Sequence, residues 1–327
     1  MLRYVLKRLM YLVFVFFILS IILYGIFQMV PGDPAKMMVD PELAAKSPTR
    51  YEAAYQQAKK QLGLDKPIHE RYAIWITNML TGKFGYSSYY KKPVINVIQP
   101  VIFQTVRLNI LNLILVFCIT IPLGITTAVR KYTAYDNIVQ VVTVVGVSMP
   151  MFILALVVIY FFAIKLPIFP ISGVGTPGAN FTGMAAILDY LKHVALPLMV
   201  MTISSLAGIT RYVRGAMIEI LRMDYIRTAR AKGLREKAVI YSHAFRNALI
   251  PVVTIFTGWF ISVFAGSIVI EGTFLLPGMG QLLISSLRQL DYAVVLTMNM
   301  FYILLALIGN LIMDLVYMLV DPRVKLS

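Results

Sequence analysis

Cysteine is almost absent from this sequence, and histidine is scarce. Cys118 is the single cysteine and lies within an apolar run, so no disulfide can form inside the chain. The three histidines, His69, His193 and His243, are far apart in the sequence and have no cysteine partner. The sequence therefore predicts no metal site.

Motifs for nucleotide binding and catalysis are also lacking. The pattern Gly-x-x-x-x-Gly-Lys-Ser/Thr does not occur, since Gly82 and Lys83 are followed by Phe84 and lack the upstream glycine. No nucleophile with a base and an orienting partner can be identified, and no series of intramembrane carboxylates. We therefore expect no enzyme activity and no cofactor in this chain. ATP and Mg²⁺ would be bound by partner subunits.

Charged residues are few, at 14% of the chain, whereas hydrophobic residues make up 59%. With a mean hydropathy of +0.78, this composition is typical of a membrane protein with several spans and excludes a soluble domain. The net charge of +15 lies in the loops between apolar runs. It indicates topology signals and contacts with anionic membrane lipids, and no nucleic-acid partner is expected.

Six apolar runs are long enough to cross a bilayer, which predicts an all-α membrane protein with six transmembrane helices. The first run follows Arg3, Lys7 and Arg8 and is too long for the usual core of a cleaved signal peptide, so we expect an uncleaved anchor. Pro150 and Pro197 are expected to kink their helices unless neighbouring groups satisfy the freed carbonyls. The predicted spans are residues 9–30, 109–129, 138–164, 194–210, 251–270 and 294–320.

The predicted spans divide the chain into four parts. After the first span the sequence turns polar, and two amphipathic helices are predicted near residues 52–62 and 69–80. We expect this segment to form a small exported domain. The four parts are a cytosolic N-terminus with the first span (1–30), the exported domain (31–100), a five-helix core with a cytosolic loop at 211–250 (101–320) and a cytosolic tail (321–327).

Basic residues indicate the orientation of the spans. If both termini are cytosolic, nine basic residues from Arg211 to Arg246 fall in one cytosolic segment. Short cytosolic loops carry an excess of Lys and Arg, and exported segments longer than about 60 residues are largely exempt from this rule. The other cytosolic basic residues would be Arg3, Lys7, Arg8, Arg130, Lys131, Arg323 and Lys325. The short outside loops would hold only Lys165, Lys192 and Arg288.

The segment from Asp224 to Pro251 is the only strongly basic stretch that is also patterned. Asp224 is the predicted N-cap of a helix of about two turns, and Gly233 supplies a left-handed stop. Beyond the glycine, apolar residues at helical spacing predict a second helix with one face to bury. This face would consist of Leu234, Ala238, Tyr241, Phe245 and Ala248.

The residues from Tyr225 to Leu234 resemble the cytoplasmic coupling loop of ABC importer permeases, specifically the B-type permease of the dipeptide/oligopeptide/nickel family. Three residues stand in the places of the family's Glu-Ala-Ala triplet, and Gly233 matches its glycine. The stretch from His243 to Arg246 stands where Ile-x-Leu-Pro would be, a departure associated with peptide-type permeases. The triplet positions are Arg227, Thr228 and Ala229. Weaker matches are Pro31 to Pro34, Gly85 to Ser87 with Pro93 and Val94, and Asp321 to Arg323.

The resemblance implies the type I ABC importer permease fold in a bacterial cytoplasmic membrane. It implies a permease subunit of an ATP-driven importer for di- or oligopeptides, forming half of the translocation pathway. Implied partners are a second homologous permease, two cytosolic ATPases and an extracytoplasmic solute-binding protein. A bulky residue in place of Ala229 or Gly233 is expected to reduce transport without blocking membrane insertion. The residues implied to couple the chain to the ATPases are Asp224, Tyr225, Arg227, Thr228, Ala229, Arg230, Ala231, Lys232, Gly233 and Leu234.

Small residues recur every four positions in the predicted fifth span. Such a stripe lets helices approach closely, and in the resembled family this span also neighbours the pathway, so packing and pore lining both remain open. The residues that follow, including Glu271, Phe274 and Pro277, resemble the family's outward loop. They are expected to form a gate or a contact with the binding protein, or alternatively a solvated turn. The stripe consists of Thr254, Gly258, Ser262 and Gly266.

The sequence leaves the cargo open, because similar permeases carry peptides of different length, nickel chelates and related solutes. Two other classes remain as alternatives. A secondary transporter or channel working alone would need coupling-ion residues or inverted repeats, and neither is evident. A scaffold that transports nothing would use the basic loop as a docking site.

Overall fold

The computed structural model describes residues 2–30, 32–33, 35–36, 39–61, 63–249, 258–259 and 262–320. In these ranges the chain is mostly helical, and the β-type pairing found there is an isolated antiparallel bridge between Tyr86 and Pro93. The long helices are Leu2–Met29, Val94–Val129, Gly183–Leu221 and Tyr292–Val320. The shorter helices are Pro41–Lys46, Pro48–Gln61, Ile68–Leu80, Ala134–Ser148, Met151–Ile159, Asp224–Ala231, Glu236–Ala238, Ile268–Thr273 and Met279–Arg288. Two π-helical segments are Tyr160–Lys165 and Val239–Phe245.

Four helices among the described residues are long and apolar enough to cross a membrane, and a bent pair makes a fifth if it counts as one span. The two halves of this pair, Ala134–Ser148 and Met151–Lys165, meet at 102°. Met149 between them is extended, with φ −80° and ψ 128°, because a residue before proline is pushed out of the helical region. The predicted break at Pro150 is confirmed. Nine of the twenty residues of the predicted span 251–270 lie outside the described residues, so the count of six stays a prediction.

Two predicted spans are much longer in the structure. The second long helix begins at Val94 instead of residue 109, so the predicted domain boundary at residue 100 falls inside a continuous helix. The helix Gly183–Leu221, called the central helix below, has 39 residues and continues through Pro197 without a break. Its polar ends lie beyond the apolar run that marked the predicted span, and the apolar window itself is 61% buried.

One compact unit comprises Met1–Phe103 and Gly278–Leu311. Both amphipathic helices predicted after the first span are present in it. The second of them packs on the first span, where the rings of Tyr72 and Trp75 lie 5.7 and 5.2 Å from the ring of Tyr24. The apolar cluster around this contact consists of Leu12, Phe16, Ile76, Met300 and Leu307.

The other unit comprises Gln104–Pro277 and Ile312–Lys325. Its centre is the central helix, on which both halves of the bent pair pack. At another crossing a Cβ on Gly124 would lie 2.6 Å from the Cβ of Val213. Such a short distance is possible only because residue 124 is glycine, which lets the second long helix approach the central helix closely. This crossing lies near the end of the central helix that leads into the basic loop.

Candidate functional site

The patterned basic segment begins with a short helix, Asp224–Ala231, called the loop helix below. A turn follows, and then a helix over residues 236–249, called the second helix of the loop. Met223 is the N-cap residue of the loop helix, with extended φ and ψ of −68° and 147°, and no side chain caps the helix. The N-cap role predicted for Asp224 is wrong by one residue, because the carbonyl of Met223 already accepts the N–H of Ile226 at 3.0 Å. Asp224 is the first helical residue, where a carboxylate still interacts favourably with the helix dipole.

Gly233 ends the loop helix, as predicted. Its φ is +75°, and its N–H donates to the carbonyl of Arg230 at 2.9 Å. The N–H of Leu234 donates to the carbonyl of Ala229 at 3.4 Å, which completes the paired bonds of a Schellman motif. A Cβ at position 233 would meet nothing within 4 Å. Glycine is therefore needed at this position for its backbone conformation and not for packing.

The loop helix buries one narrow face. Ile226 and Ala229 are 0% and 6% exposed and lie in one apolar cluster with Val213 and Met217 of the central helix. Ala229 thus faces the protein's own interior, although its place in the motif suggested a contact with an ATPase. The other residues of the predicted coupling set are exposed: Asp224, Tyr225, Arg227, Thr228, Arg230, Ala231, Lys232, Gly233 and Leu234.

The second helix buries a face that only partly matches the predicted one, since Ala248 is buried as predicted and Phe245 packs against the same apolar cluster. Val239, Ala244 and Ala248 are fully buried, whereas Leu234 and Tyr241 are exposed. The segment Val239–Phe245 is π-helical, so its turns are wider than those of an α-helix. The buried residues are accordingly five and then four positions apart. The prediction assumed α-helical spacing throughout and was wrong for Leu234 and Tyr241.

An ion pair joins the loop helix to the second helix across the glycine turn. Arg230 donates two hydrogen bonds to the carboxylate of Glu236, at 2.7 and 3.2 Å. The hydrogen bond from Arg230 lowers the pKa of Glu236, against a smaller opposing effect of burial. Both side chains are about half exposed, so the pair holds the angle of the turn more than it adds stability.

Exposed apolar and basic side chains accompany the loop helix and its turn. Met223, Tyr225 and Leu234 are exposed large hydrophobic residues, and Arg227 and Lys232 are exposed basic residues. Exposed apolar side chains with polar neighbours are typical of sites that bind another protein. These five residues are called the docking surface below.

A buried ion pair anchors the end of the central helix that leads to the loop. Arg214 donates to both oxygens of Asp136, at 2.8 and 2.7 Å, and the Asp136 side chain is 1% exposed. The backbone N–H of Tyr132 also donates to this carboxylate, at 2.9 Å. Our sequence analysis missed this pair. The capping pattern from Thr133 to Asp136 could have identified the aspartate as structural.

The small residues predicted for the fifth span do not form one stripe in the described part of the chain. Thr254 lies outside the described residues. A Cβ on Gly258 would lie 3.7 Å from Met313, within ordinary packing distance of the last helix. Ser262 is helical and exposed, but Gly266 lies in an irregular segment, so these two do not share a helix face.

Asn109 explains this interruption. Its side-chain amide donates to the carbonyls of Val263 and Ala265 at 2.9 and 3.0 Å, so these carbonyls need no helical N–H. A new helix, Ile268–Thr273, begins beyond the gap with the hydroxyl of Ser267 as its N-cap. The prediction that one span continues to residue 270 is therefore wrong.

The residues predicted as an outward gate are mostly buried. Glu271 and Phe274 are 2% and 1% exposed, whereas Pro277 is exposed. The hydroxyl of Thr105 donates to the Glu271 carboxylate at 3.1 Å, and the N–H of Gly173 donates to the Phe274 carbonyl at 2.9 Å. A solvated turn, the alternative interpretation, is wrong for Glu271 and Phe274.

This geometry defines a helical membrane protein with a short, braced and largely exposed helix in its basic loop. Residues 120–326 match the family described as "Binding-protein-dependent transport system inner membrane component". Residues 1–108 match the N-terminal region described for the membrane component of the same systems. The chain belongs to this family of binding-protein-dependent transport components of the inner membrane.

Relatives align over essentially the whole chain. The oligopeptide transport system permease protein AppB of Bacillus subtilis (strain 168) is 36% identical over 99% of this chain and 100% of its own length. A putative peptide permease protein of Brucella suis biovar 1 (strain 1330) is 36% identical over 100% of both chains. The glutathione transport system permease protein GsiC of Escherichia coli (strain K12) is 33% identical over 99% of both.

A solved structure of the MetNI methionine ABC transporter in an inward-facing conformation shares the fold. The TM-score is 0.50 at 18% identity, and the match covers 68% of this chain and 98% of that one. The present chain is accordingly an integral inner-membrane protein with several apolar helices and a permease of the ABC transporter class. This class implies ATPase partners and a substrate-binding protein.

Proposed function

We propose that this chain is a permease subunit of an ATP-driven importer for di- or oligopeptides and forms half of the translocation pathway beside a second, homologous permease. Two cytosolic ATPases, which bind ATP and Mg²⁺, and an extracytoplasmic solute-binding protein complete the assembly. The chain itself catalyses no reaction. The peptide cargo is supported by the relatives, whose names refer to oligopeptides, peptides and glutathione.

The proposed topology has six spans, cytosolic termini and an exported domain after the first span. It is supported by the distribution of basic residues, which are concentrated from Arg211 to Arg246 and sparse in the short outside loops. In this topology the loop helix and the docking surface face the cytosol, where the ATPases are.

The loop helix is the observation that carries the proposal. It is short, ends in a defined glycine turn, is braced by the pair of Arg230 and Glu236, and exposes most of its length. Its inner face, Ile226 and Ala229, packs in one cluster with residues of the central helix. A displacement of the loop helix therefore acts directly on a long helix of the membrane core.

We expect ATP-driven closure of the ATPases to move the loop helix and, through this contact, the central helix. In this mechanism the residues of the predicted coupling set have two roles. Tyr225 and Arg227 contact the ATPase from the exposed face. Ala229 contacts the chain's own core and transmits the movement.

Copurification tests the proposal. We expect wild-type chain, tagged in its own host and extracted in mild detergent, to bring a second permease and ATPases with it. Tyr225→Ala should weaken binding of the ATPase by about 30-fold and reduce its recovery accordingly, because removing an aromatic anchor of an interface costs about 2 kcal/mol. Tyr241→Ala is the matched control, since Tyr241 is 47% exposed, Tyr225 is 46% exposed, and both lie in the same loop.

Uptake into proteoliposomes with the purified binding protein then tests the cargo. ATP-dependent uptake of dipeptides or oligopeptides is the expected result. Uptake of a nickel chelate but of no peptide would replace the peptide cargo, and uptake without ATP would favour a transporter working alone. Recovery of the chain without ATPases would contradict the proposed assembly.

A further inference from the structure

A cavity of about 1060 Å³ lies within the unit formed by Met1–Phe103 and Gly278–Leu311. Its walls are formed by the end of the first helix, the turn at Gly32 and Asp33, the helices Pro48–Gln61 and Ile68–Leu80, and the start of the last helix. None of its lining residues belongs to the loop helix, the docking surface or the predicted gate. The cavity therefore needs an explanation of its own.

The charged residues that line the cavity are mostly basic, and few acidic side chains balance their charge. Asp33 is the one carboxylate among the lining residues, and it is already bonded to the hydroxyl of Tyr55 at 2.6 Å and the N–H of Ala35 at 3.0 Å. Burial acts to raise the pKa of Asp33, but these hydrogen bonds outweigh it and the pKa is lowered. The basic lining residues are Lys59, Lys60, Lys66, Arg71 and Lys83. In the part of the chain that the structure describes, none of these five forms an ion pair.

Arg71 presents a hydrogen-bond donor that suits an anionic ligand. Its Nε atom is buried and has no hydrogen-bond partner among the described residues. A buried donor without an acceptor is unfavourable, and a charged one more so, because it has lost its hydration without replacement. An anionic oxygen in the cavity would accept this bond and neutralise the guanidinium.

Aromatic residues from the ends of two spans also line the cavity. Tyr24 and Phe27 belong to the last turns of the apolar helix Leu6–Met29, and Tyr292 is the first residue of the last helix. The rings of Phe27 and Tyr292 pack edge to face, with centroids 6.2 Å apart. Aromatic side chains at the end of a span lie at the headgroup level of a membrane. The cavity is therefore at the level of the membrane surface, where these two helices end.

We propose that this cavity binds the headgroup of an anionic phospholipid, with the phosphate at Arg71 and the acyl chains beside the first span. Charge complementarity and the position at the span ends together favour a lipid over a segment of another protein. The topology proposed above would place this lipid in the outer leaflet of the membrane, and only this placement depends on that topology. Lipid binding itself does not require that the importer function is correct.

Brominated lipids and the tryptophan in the cavity provide a direct probe. The chain has two tryptophans, so Trp259→Phe leaves Trp75, which lines the cavity, as the sole tryptophan fluorophore. The full chain would be reconstituted in vesicles of phosphatidylcholine containing increasing mole fractions of brominated phosphatidylglycerol or brominated phosphatidylcholine. We expect half-maximal quenching of Trp75 at a several-fold lower mole fraction of phosphatidylglycerol. The double variant Lys59→Gln/Arg71→Gln should lose this preference, at about fivefold per basic residue.

Two further variants keep the test decisive. Arg50 lies on the same helix as Lys59, but it is exposed and does not line the cavity. The variant Arg50→Gln should therefore keep the preference for phosphatidylglycerol. Lys83→Gln removes an exposed lining residue without altering Arg71, whose Nε atom is buried, and it should weaken the preference even if the double variant fails to fold.

A soluble phosphate ester presents the same anion without acyl chains, and competition separates the two sources. Excess sn-glycerol 1-phosphate should leave the quenching by phosphatidylglycerol unchanged if the ligand is a lipid. Loss of the preference on its addition would assign the cavity to a soluble phosphate and overturn the lipid proposal. Equal quenching by both lipids, or a preference that persists in both Lys83→Gln and the double variant, would also overturn it.

Discussion

Ala229 and its neighbours illustrate how burial separates residues that a motif groups together. Arg227, Thr228 and Ala229 are consecutive in the sequence, but successive residues of an α-helix point about 100° apart. Arg227 and Thr228 are exposed, and Ala229 packs toward the core. In the proposed mechanism, substitutions within this one motif are therefore expected to affect different steps: binding of the partner at the first two positions, and transmission of movement at the third.

Asp136 is buried and paired with Arg214, so its substitution should lower the stability of the fold. We expect Asp136→Asn to lower the free energy of unfolding by about 2–3 kcal/mol, somewhat less than for a fully buried pair, because Arg214 retains partial access to water. Thermal or denaturant unfolding of the full chain in detergent measures this. Glu42→Gln, which breaks the exposed pair with Lys46, is the control and should cost less than about 1 kcal/mol. Equal losses in the two variants would mean that the Asp136 pair contributes little.

At the scale of elements, the glycine turn and the π-helical segment together set the direction of the loop. The turn at Gly233 depends on local backbone sterics, so one residue identified it. The π-helical segment Val239–Phe245 has no such local marker. It brings Val239 and Ala244 onto the same buried face, and this arrangement depends on the apolar cluster that both helices join.

The ion pair between Arg230 and Glu236 should make the turn sensitive to acid. The pKa of Glu236 is lowered in the folded chain, so the pair contributes fully above the ordinary value of 4.5 and is lost as the pH falls through the lower folded-state value. We expect the amides of Gly233 and Leu234 to lose protection from hydrogen exchange in that range, after correction for intrinsic rates.

Glu236→Gln is the control for this pH dependence. Its protection should be lower at neutral pH and show no step in acid, because the titrating group is gone. The same acid step in wild type and variant would assign it to another group. The change should be modest, since both side chains are about half exposed.

At the scale of the whole molecule, apolar helices and basic loops together predict the orientation in the membrane. In a Cys118→Ser background, which lacks any other cysteine, Asp65→Cys should react with an impermeant maleimide in intact cells. Tyr241→Cys, in the same loop but outside the docking surface, should react only after the membrane is permeabilised. Both side chains are exposed, so accessibility within the chain does not confound the comparison. The reverse labelling pattern would invert the proposed topology.

Much of the site's frame was predictable from local features. The exposed loop helix, its stop at Gly233 and the break before Pro150 follow from residues adjacent in sequence. The outward loop could not be predicted in this way. Glu271 and Phe274 are buried and are bonded to Thr105 and Gly173 respectively, and both partners lie more than a hundred residues earlier in the chain. No local pattern encodes such contacts.

The sequence alone was enough to predict the helical membrane class, the break at Pro150, the helix stop at Gly233 and the concentration of basic charge in one loop. These depend on hydrophobicity and backbone sterics over a few residues. Only the tertiary structure decided which faces are buried, that Arg214 holds Asp136 across 78 residues, and that basic and aromatic side chains meet around a cavity. The physical reason is that burial, ion pairing and cavity shape depend on residues that are distant in the chain and become neighbours only when it folds.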